Sequence, residues 1–335
     1  MKFYQYNIYT PESYNATGKA KGDIMKILRE EGISDIYNPH SKRIIRILQQ
    51  FGSISFMHSD CAVIVQYPAV IDMFIRKLKK KSNILLIGII HDLQSIRGTE
   101  KIMDEISILN NFDFIISHNK KMTDFLIKNG CTSKIIDLGI FDYLHDDKKE
   151  LIASSNLKSI CFAGNLDKSE FLYELGEVHN LEINLYGVYS KSKKLPENVI
   201  YKGSLPSDEI VYALEGAYGL IWDGDSISNC RGVLGNYLRY NNPHKLSLYI
   251  SAEKPVIVWH EAAIADFVKK NNLGLTVESL EELEVKINEM TMEDYSRMKK
   301  NLSNIKGKLA HGYYTRQSLH SIMTSIKEQE KKCYG

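Results

Sequence analysis

Short apolar runs rich in Ile and Val alternate along this chain with longer segments whose apolar positions recur every three to four residues, a pattern that predicts parallel sheets joined by crossover helices. In the first half the strands fall at 62–66, 84–90, 113–117 and 135–138. Helices are predicted over 70–81, 100–110 and 120–129, the last ending on Gly130 as a helix stop. The polar stretch 145–156 has no strand pattern and reads as a linker. A second series follows, with strands at 159–163, 182–186, 199–202, 219–222 and 256–259. Its helices are predicted at 207–214, 244–251 and 262–271, the last stopped by a Leu273-Gly274 turn. From Ser279 onward the chain reads as helices rich in Glu, Lys and Leu. Two successive doubly wound α/β units, 1–150 and 151–312, are the simplest account.

Length agrees, because 335 residues exceed what one hydrophobic core usually organises, and two domains offer a cleft. A composition 44% hydrophobic and 25% charged places the chain in the ordered globular class. With 43 basic against 41 acidic residues the net charge is only +2, which argues against nucleic acid as a partner. The 84–90 run is too short to span a membrane and 1–10 is too polar for a secretory signal, so a cytoplasmic location is expected. Cys61, Cys131, Cys161, Cys230 and Cys333 lack the paired spacing of a disulfide framework or zinc site. Lys77 to Lys81 reads as a helix end with a solvated face, membrane contact being the weaker alternative.

Ligands of open parallel sheets bind beyond the carboxyl ends of strands, so chemistry is sought there. Gly164 can let a ligand approach the backbone, Asn165 offers an amide and Lys168 reaches toward a phosphate, although a plain strand-to-helix turn looks the same. Gly187, after Tyr186, presents bare backbone to a base or simply packs. Asp223 and Asp225 flank Gly224. Such a pair can hold a metal, but a turn with a hydrogen bond to sugar hydroxyls is favoured and no metal is expected. Asn242 as N-cap and Pro243 at the first helical position would converge helix amides, His244 and Lys245 on an anion. Amides near Ala263 offer a further docking point, with Glu261 accepting from ribose hydroxyls. In the first half, His91 and Asp92 end the strongest strand, with Arg97 and Gly98 in the loop beyond. Either His91 or Asp92 could serve as a general base. His118 and Asn119 repeat the arrangement one strand later, Asn119 as a cap. Lys19 and Lys21, in a loop before the first helix, would add cationic reach to the same opening.

The stretches Leu220-Ile221-Trp222-Asp223-Gly224-Asp225-Ser226 and Asn241-Asn242-Pro243-His244-Lys245, with Ile90-His91-Asp92 and Ile140-Phe141-Asp142-Tyr143-Leu144, closely resemble bacterial β-1,6-galactofuranosyltransferases of O-antigen assembly. The likeness is loosest over the first sixty or so residues. More distantly the chain resembles glucosyltransferases that extend N-acetylglucosamine on serine-rich streptococcal adhesins. These share the helix-start lysine and the Gly-Asn turn but lack the Asn-Asn-Pro-His block, which ties Asn242 and His244 to furanose selection or to no function. Both resemblances imply the GT-B architecture: two Rossmann-like domains facing a cleft, and 313–335 crossing back to the first. By position, Gly164, Asn165 and Lys168 would line the site of a UDP-sugar donor, and Lys245 would meet its diphosphate. Inversion would then use Asp92 as base, His91 as its rival, and Lys245, His244 and the Ala263 amides on the leaving group. Asp223, Asp225 and Lys19 would contact sugar or acceptor. The acceptor is a saccharide, with a lipid anchor, a peripheral membrane contact at the inner face and self-association left open. The alternatives are a UDP-glucose or UDP-N-acetylglucosamine transferase, or a non-catalytic binding subunit.

Overall fold

The computed structural model describes residues 1–6, 16–36, 40, 42–55, 60–68, 72–81, 84–190 and 193–334. By contact the chain divides into two units. One comprises Met1–Glu12, Ala20–Phe141 and Gly312–Gly335, the other Ser13–Lys19 and Asp142–His311.

The first unit runs β1 (Lys2–Gln5), α1 (Ala16–Glu30), β2 (Ser34–Asp35), α2 (Arg43–Ser55), β3 (Cys61–Tyr67), α3 (Asp72–Lys79), β4 (Ile84–Ile90), α4 (Ile102–Leu109), β5 (Phe114–Ser117), α5 (Lys120–Lys128) and β6 (Lys134–Asp137). All its strands are parallel, in the order β2-β1-β3-β4-β5-β6. At the centre β3 and β4 pair from Cys61 opposite Ile84 to Tyr67 opposite Ile90. Helices covering both faces bury every residue of β3, which is why such strands carry unbroken apolar runs.

In the second unit follow β7 (Ser159–Ala163), β8 (Glu182–Tyr186), β9 (Val199–Tyr201), α6 (Ile210–Ala213), β10 (Tyr218–Ile221), α7 (Gly232–Tyr237), α8 (His244–Ser251), β11 (Val256–Trp259), α9 (Ala265–Asn271), β12 (Gly274–Val277), α10 (Leu283–Asn288) and α11 (Met292–Ala310). Its parallel sheet has the order β12-β11-β10-β7-β8-β9. The chain starts at β7, winds outward through β8 and β9, then crosses to β10 on the other side of β7. That reversal leaves a crevice at the carboxyl ends of β7 and β10.

The last helix, α12 (Tyr313–Tyr334), belongs to the first unit. Its Leu319, Ile322 and Ile326 join Ile24 and Leu28 of α1, Ile64, Ile87 and Phe114 in one core. Arg316 pairs with Glu30, at 2.6 Å, and with Glu31, securing α12 to the end of α1.

Four local expectations change. Lys19 and Lys21 lie within α1 rather than in a loop before it. The cap of α8 is Pro243, at φ −61° and ψ 133°, so Asn242 sits one residue outside the helix end and is not its N-cap. Gly274 opens β12 instead of a turn, while Asn272 at φ 47° ends α9; a Cβ on Gly274 would lie 1.9 Å from the Val256 carbonyl oxygen, so close strand pairing requires glycine there. The predicted 207–214 helix shrinks to the single turn of α6. Among the described residues no helix is long and apolar enough to cross a membrane.

Candidate functional site

At the crevice of the second unit, the Lys245 ammonium lies 3.3 Å from Asp223 Oδ2 and 3.4 Å from the Trp222 carbonyl oxygen, both just beyond β10. It also stands 4.6 Å from the centre of the Phe162 ring of β7. A Cβ on Gly164 would come within 3.1 Å of Lys245 Cε, so the bare backbone of Gly164 is what this side chain lies against. Lys245 occupies the first turn of α8, where a cation opposes the helix dipole by about 0.3–1 kcal/mol. Asp223 offsets that cost. An anion bearing more charge than a carboxylate can compete for the same ammonium.

Glycine shapes the opening. Gly187 adopts φ 140°, and a Cβ there would lie 1.8 Å from the Gly164 carbonyl oxygen. Any side chain at 187 therefore displaces the turn after β7. In the turn beyond β10, Gly224 sits at φ 126°, where a Cβ would lie 2.9 Å from the Arg231 carbonyl oxygen, while the Trp222 indole donates to the Ser226 carbonyl at 2.9 Å. Asp225, on that turn, is exposed, as are Asn165 and Lys168 on the turn after β7. Gly164, Gly187, Asp223 and Lys245 are thus gathered at one place; Asn165 follows Gly164 directly and Lys168 lies three residues further on, both exposed.

Three residues expected at the donor site have partners within the protein. His244 stacks on Tyr143, ring centres 5.0 Å apart, and burial pushes its pKa down to about 3. With that pKa the ring is neutral at physiological pH in this arrangement, packed on Tyr143. The Ala263 amide donates to the Leu238 carbonyl at 2.7 Å, so it is already committed. Glu261 pairs with Arg239, whose guanidinium lies 4.5 Å from the centre of the Trp259 ring, rather than standing ready for a ribose. Lys19 is likewise engaged. Its ammonium meets Asp208 at 2.8 Å, donates to the Leu144 carbonyl at 2.6 Å and faces the Tyr143 ring at 5.0 Å. Asn242 is buried.

Tyr249 was not singled out from the sequence, yet it organises the crevice from one turn after Lys245 on α8. The signal available was its i+4 spacing from that lysine, which puts both on one helical face.

In the first unit, His91 and Asp92 directly follow the last residue of β4. His91 is buried, with Nε2 2.6 Å from Gln66 Oε1 and its ring stacked on Phe141 at 5.5 Å. Because the Gln66 amide nitrogen donates to the Lys21 carbonyl, its oxygen is the acceptor, so Nε2 of His91 carries the proton. His118 meets Phe141 edge-on and places Nε2 3.1 Å from the Ile90 carbonyl; burial pushes its pKa down to about 4. Asp92 is partly exposed and accepts from Arg97 at 2.8 Å. Lys21 donates to the Pro68 carbonyl at 3.4 Å. Burial lowers its pKa, and nearby Asp92 opposes that shift. Asn119 caps α5 through the Met122 amide, as expected.

The loop carrying Asp92 and Arg97 is held from below by Glu105 of α4. This fully buried carboxylate accepts the amides of Gln94 and Ser95 and the hydroxyls of Ser95 and Tyr67. Among the described residues no group of three or more His, Cys, Asp or Glu could hold a metal ion.

Comparison with known proteins gives this geometry a context. Residues 2–140 match the glucosyltransferase 3-like N-terminal domain, and residues 160–322 match the glucosyltransferase 3-like C-terminal domain. Over 263 residues the chain is 36% identical to the β-1,6-galactofuranosyltransferase WbbI of Escherichia coli, covering 77% of this chain and 76% of that protein. It is 26% identical over 338 residues to glucosyltransferase 3 of Streptococcus gordonii, covering 96% of this chain and 98% of that one. Both groups named from the motifs are therefore among its relatives. In fold it resembles Anabaena HepE, solved in complex with UDP and glucose. The TM-score is 0.58 at 11% identity, over 98% of this chain and 100% of that one.

Proposed function

Because this chain belongs to the glucosyltransferase 3-like family and is a glycosyltransferase, we propose that it transfers galactofuranose from UDP-galactofuranose to a sugar hydroxyl with inversion, forming a β-1,6 linkage in cell-surface polysaccharide assembly. One observation carries the donor half of this reading. The Lys245 ammonium stands at the strand-order reversal of the second unit, beside backbone that Gly164 and Gly187 leave bare. The choice of sugar is supported by the 36% identity to a β-1,6-galactofuranosyltransferase, and the choice of nucleotide by a neighbour in fold that binds UDP.

As the bond from the anomeric carbon to the diphosphate breaks, negative charge grows on the departing oxygen. Lys245 meets that charge, exchanging Asp223 for the diphosphate, and the first amides of α8 add a fixed dipole. Asp223, released from its lysine, accepts from donor hydroxyls. Neutral His244 supplies shape rather than charge, and with Asn242 it belongs to furanose selection. In the first unit Asp92 takes the proton of the attacking hydroxyl, its carboxylate oriented by Arg97. His91, whose Nε2 proton is directed to Gln66, supports the strand end. No metal is assigned to this step, so a chelator should leave turnover unchanged. The protein works in the cytoplasm on a saccharide acceptor carried by a lipid.

Calorimetric titration with UDP tests the donor site. Lys245→Ala should bind at least about tenfold more weakly than the parent protein, the scale of one charge-assisted contact. No detectable UDP binding by the parent would overturn the reading. Transfer from UDP-galactofuranose should outrun transfer from UDP-glucose and UDP-N-acetylglucosamine. A preference for UDP-glucose would instead ally the chain with its glucosyltransferase 3 relatives.

A further inference from the structure

The first unit carries an apolar and cationic surface that its own core does not use. Ile44 and Leu48 of α2 are 74% and 66% exposed, and Met73 of α3 is 64% exposed. On α2, Ile44, Leu48 and Phe51 follow i, i+4, i+7 spacing and share one face. On α3 the same spacing aligns Met73, Lys77 and Lys80, which is just past the helix end. The two rows are neighbours, because Lys77 places its ammonium 5.2 Å from the centre of the Phe51 ring while Phe51 packs edge-on against Phe74 of α3.

Charge identifies what this surface fits. Residues 42–55 and 72–81 contain eight Lys and Arg against the single acid Asp72, whereas the whole chain carries only +2. The remainder of the protein is therefore net acidic, and the positive charge is concentrated around the exposed aliphatic row. Lys79 is neutralised by Asp113, and Arg76 donates to Ser107. Lys77 and Lys80 stand exposed in the row beside the aliphatic one, and Lys42 is exposed just before α2. Aliphatic side chains ringed by lysines match the boundary of an anionic bilayer, where methyl groups enter the acyl edge and ammonium groups meet lipid phosphates.

We propose that the paired faces of α2 and α3 dock this protein on an anionic phospholipid surface. The inference deepens the reading of a lipid-carried acceptor and rests on it for its purpose. Docking itself is measured without any sugar transfer, so the two can fail separately.

The experiment is sedimentation of the full chain with vesicles of phosphatidylcholine, with and without phosphatidylglycerol, at low and high salt. Binding should require phosphatidylglycerol and fall with salt. The double variants Ile44→Glu/Leu48→Glu and Lys77→Glu/Lys80→Glu should each lower vesicle partitioning about tenfold or more, while transfer to a soluble saccharide acceptor and the thermal midpoint stay at parental values. Absence of parental binding to phosphatidylglycerol vesicles, or equal binding by both variants, would overturn the proposal. So would light scattering that finds a parental oligomer dissociated by Ile44→Glu/Leu48→Glu, since a second copy would then be the occupant.

Discussion

The Tyr249 hydroxyl accepts the Ala163 amide proton at 2.8 Å, tying the last residue of β7 to the helix that carries Lys245. The ring occupies the space that Gly219 leaves open on β10, where a Cβ would come within 2.2 Å of it. One side chain thus fixes α8 against both strands that border the crevice. Tyr249→Phe keeps the ring but leaves the buried Ala163 amide unpaired, at a cost of about 1–3 kcal/mol. A lower thermal midpoint and UDP binding several-fold weaker are expected. Unchanged UDP affinity would show that Lys245 does not depend on this anchor.

The contact between residues 164 and 187 makes a sharper prediction. Gly187→Ala puts a methyl group into the Gly164 carbonyl and strains a backbone at φ 140°, so a loss of about 3 kcal/mol or more and of most UDP affinity is expected. Gly203→Ala serves as the comparison. Its φ of 95° carries strain, but open space surrounds it, so a loss nearer 1 kcal/mol with UDP binding retained is expected. Thermal melts and calorimetry on both variants separate clash from strain.

Asp92 and His91 are distinguished by kinetics. Asp92→Asn should lower kcat by about a hundredfold or more with UDP affinity nearly intact. His91→Asn removes a buried hydrogen bond to Gln66 and a ring stacked on Phe141, so it should first lower the melting temperature. If His91→Asn abolished turnover in a fully folded protein while Asp92→Asn did not, the roles would have to be exchanged.

Acid should destabilise the first unit through His118. Its folded pKa of about 4 lies below the ordinary value of 6.5, so the unfolded chain takes up a proton that the native state refuses. Stability is full above pH 6.5 and falls as pH drops toward 4, with no further loss from this group below that. His118→Gln should flatten this part of the profile of melting temperature against pH. An unchanged slope would mean that other groups govern it.

How much of this was legible in the chain varies by element. The edges of β7, β8, β11 and α8 coincide with the predicted bounds, since strands buried on both faces are continuous apolar runs with polar ends and α8 follows an Asn-Pro start. β1 escaped notice because Lys2-Phe3-Tyr4-Gln5 has no apolar run, although it pairs with both β2 and β3. Gly274 was misread as a turn because glycine after a helix is an ordinary stop signal, and the pressure for it comes from Val256 on a neighbouring strand. Lys245 stood out as a cation at a helix start. His244 looked the same in sequence, and only its desolvation against Tyr143 separates a neutral ring from a charged one.

By itself, then, the sequence determined two parallel α/β units and the strand ends where chemistry would lie, because periodicity and turn residues act over a few neighbours along the chain. Tertiary structure alone decided that Gly164, Gly187, Asp223 and Lys245 meet, that the Ala263 amide is spent and that Tyr249 holds the crevice together. Those outcomes depend on strand order and on burial, which set distances and desolvation between residues far apart in the chain.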